Sequence, residues 1–251
     1  MSVAIPISAF LGLCVGSFLN VVAYRLPRGE SVVRPGSRCA GCGRALHAYE
    51  NVPVLSWIAL RGHCRTCGAS ISIRYPMIEF ATGVLYVAVV ATYWDQWREL
   101  VLGIALVTAL VPIAAIDLDV KRIPNAITGP AALAAIPIAA LTDPSFIPEQ
   151  LIAGAAATCF FLLPALISRK GMGMGDVKLA GVMGLYLGSA VAPAIMIALA
   201  TGTLVGIAVI LRNGVSSGRK TAVPFGPFLA LGAVASIFFG EQMVDWYLSR
   251  F

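Results

Sequence analysis

An aspartate stands among glycines between two apolar stretches in the C-terminal half of the chain. Residues 171–178 read Gly-Met-Gly-Met-Gly-Asp-Val-Lys, with apolar residues 151–167 before them and 179–211 after them. A carboxylate at a membrane boundary is costly unless it serves a function. Asp176 is therefore a candidate catalytic residue, and Gly173 and Gly175 are candidates for close approach of a substrate backbone, because glycine lets another chain come near.

A second aspartate occupies a comparable place. Asp117 follows the apolar run 100–116 and precedes Ile123-Pro124-Asn125 by six residues. Two carboxyl groups at the ends of apolar segments predict an aspartyl protease within a membrane, in which one carboxyl group acts as acid and the other as base. Ordinary helix-end charges facing water remain the alternative, because helix ends also collect polar groups for capping. Asp119 is the weaker candidate, since two residues further on it points to another side of a helix.

Four cysteines form two pairs in the first third of the chain. Cys39 and Cys42 make one Cys-x-x-Cys motif and Cys64 and Cys67 make another, with 21 residues between them. Four thiolates at this spacing predict a structural zinc site. Two disulfides are the alternative, which a reducing compartment disfavours. A segment of about 50 residues has too little core to fold without such a cross-link.

Composition indicates a membrane protein. Of 251 residues, 59% are hydrophobic and 12% charged, and the mean hydropathy is +0.86, which excludes an ordinary soluble domain. All but two of the 18 lysines and arginines fall in four segments, 25–75, 117–125, 169–178 and 212–220. Basic loops stay in the cytoplasm, so we expect these segments on the cytoplasmic side. Topology accounts for the net charge of +6, and no nucleic-acid partner is expected.

The apolar pattern predicts an all-α, polytopic membrane protein with about eight transmembrane segments and both termini outside. The predicted segments are 5–26, 76–94, 100–116, 126–141, 151–167, two short ones within 179–211, and one from residue 224 to about 239 or slightly beyond. The expected domains are the first transmembrane segment, 1–26, a cytoplasmic zinc-binding insertion, 27–75, and a protease domain, 76–251.

Smaller features refine this arrangement. Gly12 and Gly16 predict close helix packing of the first segment. Asn20 either makes a packing hydrogen bond, which we favour, or belongs to a site. Glu79, at the start of the second segment, either favours that helix terminus or faces a site. Within 179–211 we expect a break near Gly188-Ser189 or Pro193. The piece before the break is then too short to cross a bilayer and must dip or be buried by neighbours.

Several of these motifs occur together in one order. They are residues 16–27 (Gly-Ser-Phe-Leu-Asn-Val-Val-Ala-Tyr-Arg-Leu-Pro), the paired Cys-x-x-Cys motifs, Arg74-Tyr75-Pro76, Asp117 before Ile123-Pro124-Asn125, Gly173-x-Gly175-Asp176, and Pro224-Phe225-Gly226-Pro227. The ordered set resembles the type 4 prepilin peptidase family and covers most of the chain.

The resemblance implies a function. Members of the family are intramembrane aspartyl proteases of the bacterial inner membrane, facing the cytoplasm. They cut the basic leader from type IV pilins and secretion pseudopilins, and the longer members also methylate the new N-terminus with S-adenosylmethionine. The two catalytic aspartates of the family correspond to Asp117 and Asp176. Its cysteine-bearing loop, associated with the methylating members, corresponds to residues 27–75.

Two other classes compete with this reading. An ion-coupled transporter would place acids near the middle of the membrane and show related halves, whereas these acids lie at segment ends and no repeat is visible. A structural assembly subunit that docks a partner through its zinc loop would leave the Gly-x-Gly-Asp motif without a role.

Overall fold

The computed structural model describes residues 1–167, 173–214 and 223–250, and its regular elements there are helices and two isolated β-bridges. The helices are α1 (Ala4–Arg25), α2 (Leu55–Ala59), α3 (Arg74–Tyr93), α4 (Trp97–Val120), α5 (Asn125–Thr142), α6 (Ile147–Ile167), α7 (Met174–Leu187), α8 (Val191–Asn213) and α9 (Gly226–Leu248). Gly171 and four residues of the predicted basic loops, Arg169, Lys170, Arg219 and Lys220, lie outside the described residues.

The predicted membrane segments are confirmed. In the described part of the chain, seven stretches are long and apolar enough to cross a bilayer. One of them, Met174–Arg212, is bent: a 3-10 turn at Gly188–Ala190 separates α7 from α8. The break therefore falls at the predicted glycine, whose φ of +57° favours a residue without a side chain. With α7 counted separately, eight long helices correspond to the eight predicted segments.

Several helices extend beyond the predicted apolar segments; α4, for example, spans Trp97–Val120 rather than 100–116. Helix α6 begins at Ile147 rather than residue 151, because a 3-10 turn at Pro144–Phe146, capped by Asp143, leads directly into it. Helix α9 continues to Leu248, nine residues beyond the predicted end. The polar residues after Phe239 end the apolar run, but they do not interrupt the hydrogen bonds of the helix.

The chain divides into two compact units, Met1–Asp95 and Gln96–Phe251. In the first unit α1 packs against α3 through its small residues, as predicted. A Cβ on Gly12 would lie 2.8 Å from the Cα of Gly83, and one on Gly16 would lie 2.8 Å from the Cα of Glu79. Asn20 donates a hydrogen bond to the Tyr75 carbonyl oxygen at 3.0 Å. The division at 1–26, 27–75 and 76–251 stays a prediction.

Helix α7 is the central element of the second unit. It has 14 residues, which gives about 21 Å at ~1.5 Å per residue, short of the ~30 Å hydrocarbon core. Its residues from Leu179 to Gly184 are all buried, and it contacts α4, α5, α6, α8 and α9. A short helix is tolerated at membrane depth because protein surrounds it. The two glycines Gly154 and Gly184 bring α6 and α7 together, the Cα of Gly154 lying 2.7 Å from a Cβ built on Gly184.

Helices α8 and α9 also pack at backbone distance, which yields a prediction. A Cβ on Gly232 would lie 2.2 Å from the Ala194 carbonyl oxygen. Gly232→Ala should therefore destabilise the protein by about 1–3 kcal/mol, the typical cost of overpacking. The measurement is the thermal unfolding midpoint of the purified protein in detergent.

Gly206→Ala is the matched control. Gly206 lies in α8, and a Cβ there meets nothing within 4 Å. Replacing a helical glycine by alanine is favourable by up to ~1 kcal/mol, so this variant should be as stable as the wild type or more so. Equal midpoints for the two variants would contradict the packing of α8 against α9.

Candidate functional site

Asp117 lies in the last turn of α4 and is buried, with 5% of its surface exposed. Its Oδ2 accepts a hydrogen bond from the Gly226 N–H at 2.8 Å. Asp119 is exposed, as the helical spacing predicts. Asp117 is thus an inward-facing carboxyl group held by a backbone donor from an element 109 residues away.

Gly226 is a site residue that the sequence did not reveal. It is the first residue of α9, where backbone N–H groups lack partners within the helix. A Cβ on it would lie 2.8 Å from Asp117 Oδ2, so any side chain would displace the carboxylate. The only available signal was the motif Pro224-Phe225-Gly226-Pro227, which marks a helix start but does not say which residue the free N–H would meet.

Asp176 lies in the first turn of α7 and is half-buried. Gly173 is the N-cap with extended backbone, and its carbonyl oxygen accepts the Asp176 N–H at 3.0 Å. A Cβ on Gly173 would lie 3.1 Å from Asp176 Oδ2, so glycine keeps this side of the carboxylate open. The backbone of Gly173 is extended, with φ of −76°, and Gly175 is helical, so neither glycine occupies the left-handed region.

The start of α7 meets the segment that follows α4. A Cβ on Gly175 would lie 2.9 Å from the Ile123 Cβ, and Lys178 Nζ donates to Asn125 Oδ1 at 3.0 Å. These contacts place the start of α7, which carries Asp176, against the segment that follows Asp117, and the two carboxyl groups lie within electrostatic range of each other. Helix packing therefore brings together two acids that stand 59 residues apart in the sequence. Neighbouring carboxyl groups of this kind can share one proton and serve as acid and base.

The four cysteines of the first unit also meet. The Sγ atoms of Cys39, Cys42, Cys64 and Cys67 all lie within 4.8 Å of one another, and those of Cys39 and Cys67 are 3.7 Å apart. A tetrahedral ion with metal–sulfur bonds of ~2.3 Å requires sulfurs about 3.8 Å apart. All four are free thiols, so the disulfide alternative is not what the structure has, and the cluster could hold a metal ion.

Each Cys-x-x-Cys motif is built in the same way. The N–H groups of Cys39 and Cys64 donate to the carbonyl oxygens of Arg44 and Ala69, at 2.9 and 2.8 Å. Gly43 and Gly68 close the two turns, with φ of +71° and +69°. The repeated geometry explains why glycine follows the second cysteine in both motifs.

Backbone amides also tune the thiols. The N–H groups of Cys67 and Thr66 hydrogen-bond to the Cys64 sulfur and lower the pKa of that thiol to about 6. The amides of Cys42 and Gly41 lower the pKa of Cys39 in the same manner. Although the Ala69 amide acts to lower it, neighbouring thiols and burial raise the pKa of Cys67 to about 11. Four thiolates this close together repel one another unless a cation neutralises them. A bound metal ion would supply that charge.

Comparisons with known proteins show the family to which the chain belongs. Residues 10–93 match the bacterial peptidase A24 N-terminal domain, and residues 104–211 match the type IV leader peptidase family. The chain is similar to proteins named prepilin leader peptidase/N-methyltransferase. It is 41% identical to one from Myxococcus xanthus, covering 83% of this chain and 64% of that protein. It is 35% identical to one from Burkholderia pseudomallei (92% and 84% covered) and 34% to one from Neisseria gonorrhoeae (98% and 96% covered). No solved structure matches the chain.

The thiol cluster gives a prediction about metal content. Purified, reduced protein should contain one tightly held metal ion per chain by elemental analysis. Cys64→Ser should lose that ion, because three thiolates bind more weakly than four and Cys64 is the buried member of the cluster. Cys159→Ser is the matched control, since Cys159 lies in α6 outside the cluster. Metal-free wild-type protein, or equal loss in both variants, would contradict the site.

Proposed function

We propose a function for this chain on the premise that it belongs to the type IV leader peptidase family. The chain cleaves the basic leader peptide from type IV prepilins and pseudopilins, and it methylates the new N-terminal amine. Relatives that share 34–35% identity over most of both chains are named for these two activities. Nothing in the family matches supports the alternative, an ion-coupled transporter.

The meeting of Asp117 and Asp176 is the observation that carries the peptidase assignment. Each carboxyl group lies at the end of its helix, α4 or α7, and the two interact. Hydrolysis by carboxylates needs one ionised and one protonated partner, and a close pair shares a proton in this way.

The proposed reaction uses the pair as one acid–base unit. The ionised carboxylate takes a proton from water as the water attacks the scissile carbonyl carbon, and the protonated partner polarises the carbonyl oxygen. The carbon–nitrogen bond then breaks, and the leaving amine nitrogen takes up the proton that came from water. The Gly226 N–H fixes Asp117 in position, while Gly173 leaves room beside Asp176. Gly173 and Gly175 remain the proposed positions of backbone approach by the substrate. The pair titrates as a unit, so neither role belongs to one residue alone.

Two cofactors belong to the proposal. Zinc is the ion we assign to the four cysteines, because an all-thiolate tetrahedral set is typical of structural zinc. It would cross-link residues 39–67 of the insertion. S-adenosylmethionine is the proposed methyl donor, in line with the names of the relatives.

The proposed orientation follows from charge. The seven apolar stretches fit a multi-pass protein of the bacterial inner membrane. Thirteen of the 18 basic residues fall in the segments 25–75, 117–125 and 169–178, which contain the four clustered cysteines, Asp117 and Asp176, and three more fall in 212–220. By the positive-inside rule these segments face the cytoplasm and both termini lie outside. The basic leader of the substrate would stay on the same side, so the scissile bond meets the aspartates at the inner membrane surface.

The aspartates provide the test. Asp117→Asn and Asp176→Asn should each reduce leader cleavage of a prepilin in vitro by roughly 10²–10⁴-fold, the usual contribution of general acid–base catalysis. Asparagine keeps an oxygen that can accept the Gly226 N–H, so the fold should survive. The measurement is the rate of the gel shift from precursor to mature pilin, with equal amounts of membrane-inserted protein.

Asp119→Asn is the control for these variants. Asp119 stands two residues from Asp117 on the same helix but is exposed, so its loss should leave the cleavage rate close to that of the wild type. Full cleavage by Asp117→Asn or Asp176→Asn would remove that residue from the pair. An Asp119→Asn variant as inactive as Asp117→Asn would reverse the choice between them.

A further inference from the structure

A cavity of about 810 Å³ lies within the first unit. It is bounded by α1 and α3, by α2, and by the loop that carries the cysteine cluster, with Cys39 and Cys64 in its wall. Small-molecule sites usually have volumes of ~300–1,000 Å³, so the cavity is large enough for a ligand of nucleoside size. Asp117 and Asp176 are not among its lining residues, so the proposed peptidase reaction does not use it.

Side chains that hold backbone groups fix the walls. Arg25 donates to the carbonyl oxygens of Ser31, Pro35 and Gly36. The Trp57 indole N–H donates to the Ile71 carbonyl oxygen at 3.0 Å. These bonds tie α1, α2 and the loop segments together around the cavity, so the site is formed before any ligand enters. Preorganised walls lower the entropic cost of binding.

The Arg44–Glu50 ion pair also lines the cavity. The two guanidinium NH₂ groups of Arg44 donate to the Glu50 carboxylate at 2.8 and 2.5 Å. Arg44 holds the pKa of Glu50 at about 2, so the pair stays charged at neutral pH. The Arg44 Nε is buried and has no hydrogen-bond partner among the residues that the structure describes. The Arg44 side chain also interacts with the Cys64 thiol, so the ion pair connects the cavity wall to the cysteine cluster.

A buried carboxylate and exposed arginines stand in different parts of the lining. Glu79 of α3 is 9% exposed, and its Oε2 accepts the Val54 N–H at 2.7 Å. Arg34 and Arg38 also line the cavity and are exposed. Because a buried carboxylate is strongly stabilised by a cation, this distribution fits a ligand with a positive centre in the interior and an anionic group toward the rim.

We propose that this cavity binds S-adenosylmethionine, with Glu79 beside the sulfonium and the arginines toward the carboxylate of the methionine part. Aromatic residues Tyr24, Trp57 and Tyr75 in the lining provide flat apolar surface for the adenine ring. The inference rests on the proposed N-methyltransferase function and assigns it a location and a recognition chemistry.

The transfer that this site would serve is balanced. The nitrogen of the new N-terminal amine attacks the methyl carbon, the carbon–sulfur bond breaks, and its electron pair stays on sulfur as a neutral thioether. The methylated ammonium then releases a proton to water. Glu79 binds the donor through charge, so it should discriminate between the sulfonium and the thioether product.

Equilibrium binding tests the site without any turnover. Isothermal titration of the full-length protein in detergent should detect S-adenosylmethionine binding to the wild type. Val21→Phe places a ring in the cavity from α1, where Val21 is half-buried and lines it, and should weaken binding about tenfold or more. Glu79→Gln should weaken the binding of S-adenosylmethionine by about tenfold, as expected for a lost charged partner. It should affect S-adenosylhomocysteine, which has no sulfonium, clearly less.

Glu30→Gln is the charge-matched control. Glu30 lines the same cavity but is exposed, so solvent screens its charge and the dissociation constant should change little. Unfolding midpoints and metal content equal to those of the wild type would establish that the variants are folded. Equal losses for both ligands in Glu79→Gln would overturn the role of the carboxylate, since a purely structural effect cannot tell them apart.

The location and the proposed function can fail separately. Unchanged binding in Val21→Phe, or no binding to the wild type, would overturn the location of the site. Leader cleavage by the same wild-type preparation, measured without the methyl donor, tests the proposed peptidase function independently. The wild type could methylate the mature pilin while the Val21→Phe variant binds the donor as tightly as the wild type. That result would place the donor site elsewhere and leave the proposed methyltransferase function intact.

Discussion

The hydrogen bond from the Gly226 N–H to the Asp117 carboxylate is the contact on which the second unit depends. A buried carboxyl group without a donor would be costly, and a helix N-terminus without an acceptor would be costly too. The contact at 2.8 Å satisfies both and joins α4 to α9. Because α7 packs against both helices, the same contact fixes the frame in which Asp176 meets Asp117. The interaction that joins α4 to α9 thus also orients the carboxyl group of Asp117, the proposed catalytic residue.

In the first unit, polar contacts rather than an apolar core stabilise the insertion. Its insertion has little apolar core, so the thiol cluster and charged side chains that bind backbone carbonyls replace a core. The Arg25 guanidinium donates to three backbone carbonyl oxygens. The Arg44 guanidinium donates to the Ala45 carbonyl oxygen and to the Glu50 carboxylate. One consequence is an open cavity beside α1 and α3, because these side-chain hydrogen bonds fix the loops in place without filling the space between them. We interpret the insertion as a rigid frame for a small ligand.

Local features were predictable and long-range contacts were not. The aspartates and cysteines followed from residue type and spacing, and the helices followed from apolar length. The contact of Gly226 with Asp117 depends on packing across 109 residues, which no local pattern records. Helix α7 begins at Met174, inside a glycine-rich stretch, because burial among five helices outweighs the poor helix propensity of glycine. The cavity arises from four separate segments. The sequence therefore could not decide whether Glu79 favours a helix terminus or faces a site.

The central claim is that Asp117 and Asp176 form one site, and a proximity measurement tests it most directly. Cysteines would replace both residues, and a short bifunctional thiol reagent would link them, with the linked peptides identified by mass spectrometry. The control pair joins positions 143 and 176. Asp143 follows the far end of the 18-residue helix α5, about 27 Å from Asn125 at ~1.5 Å per residue. The account predicts a 117–176 link and no 143–176 link. Absence of the first, or equal yields of both, would contradict it.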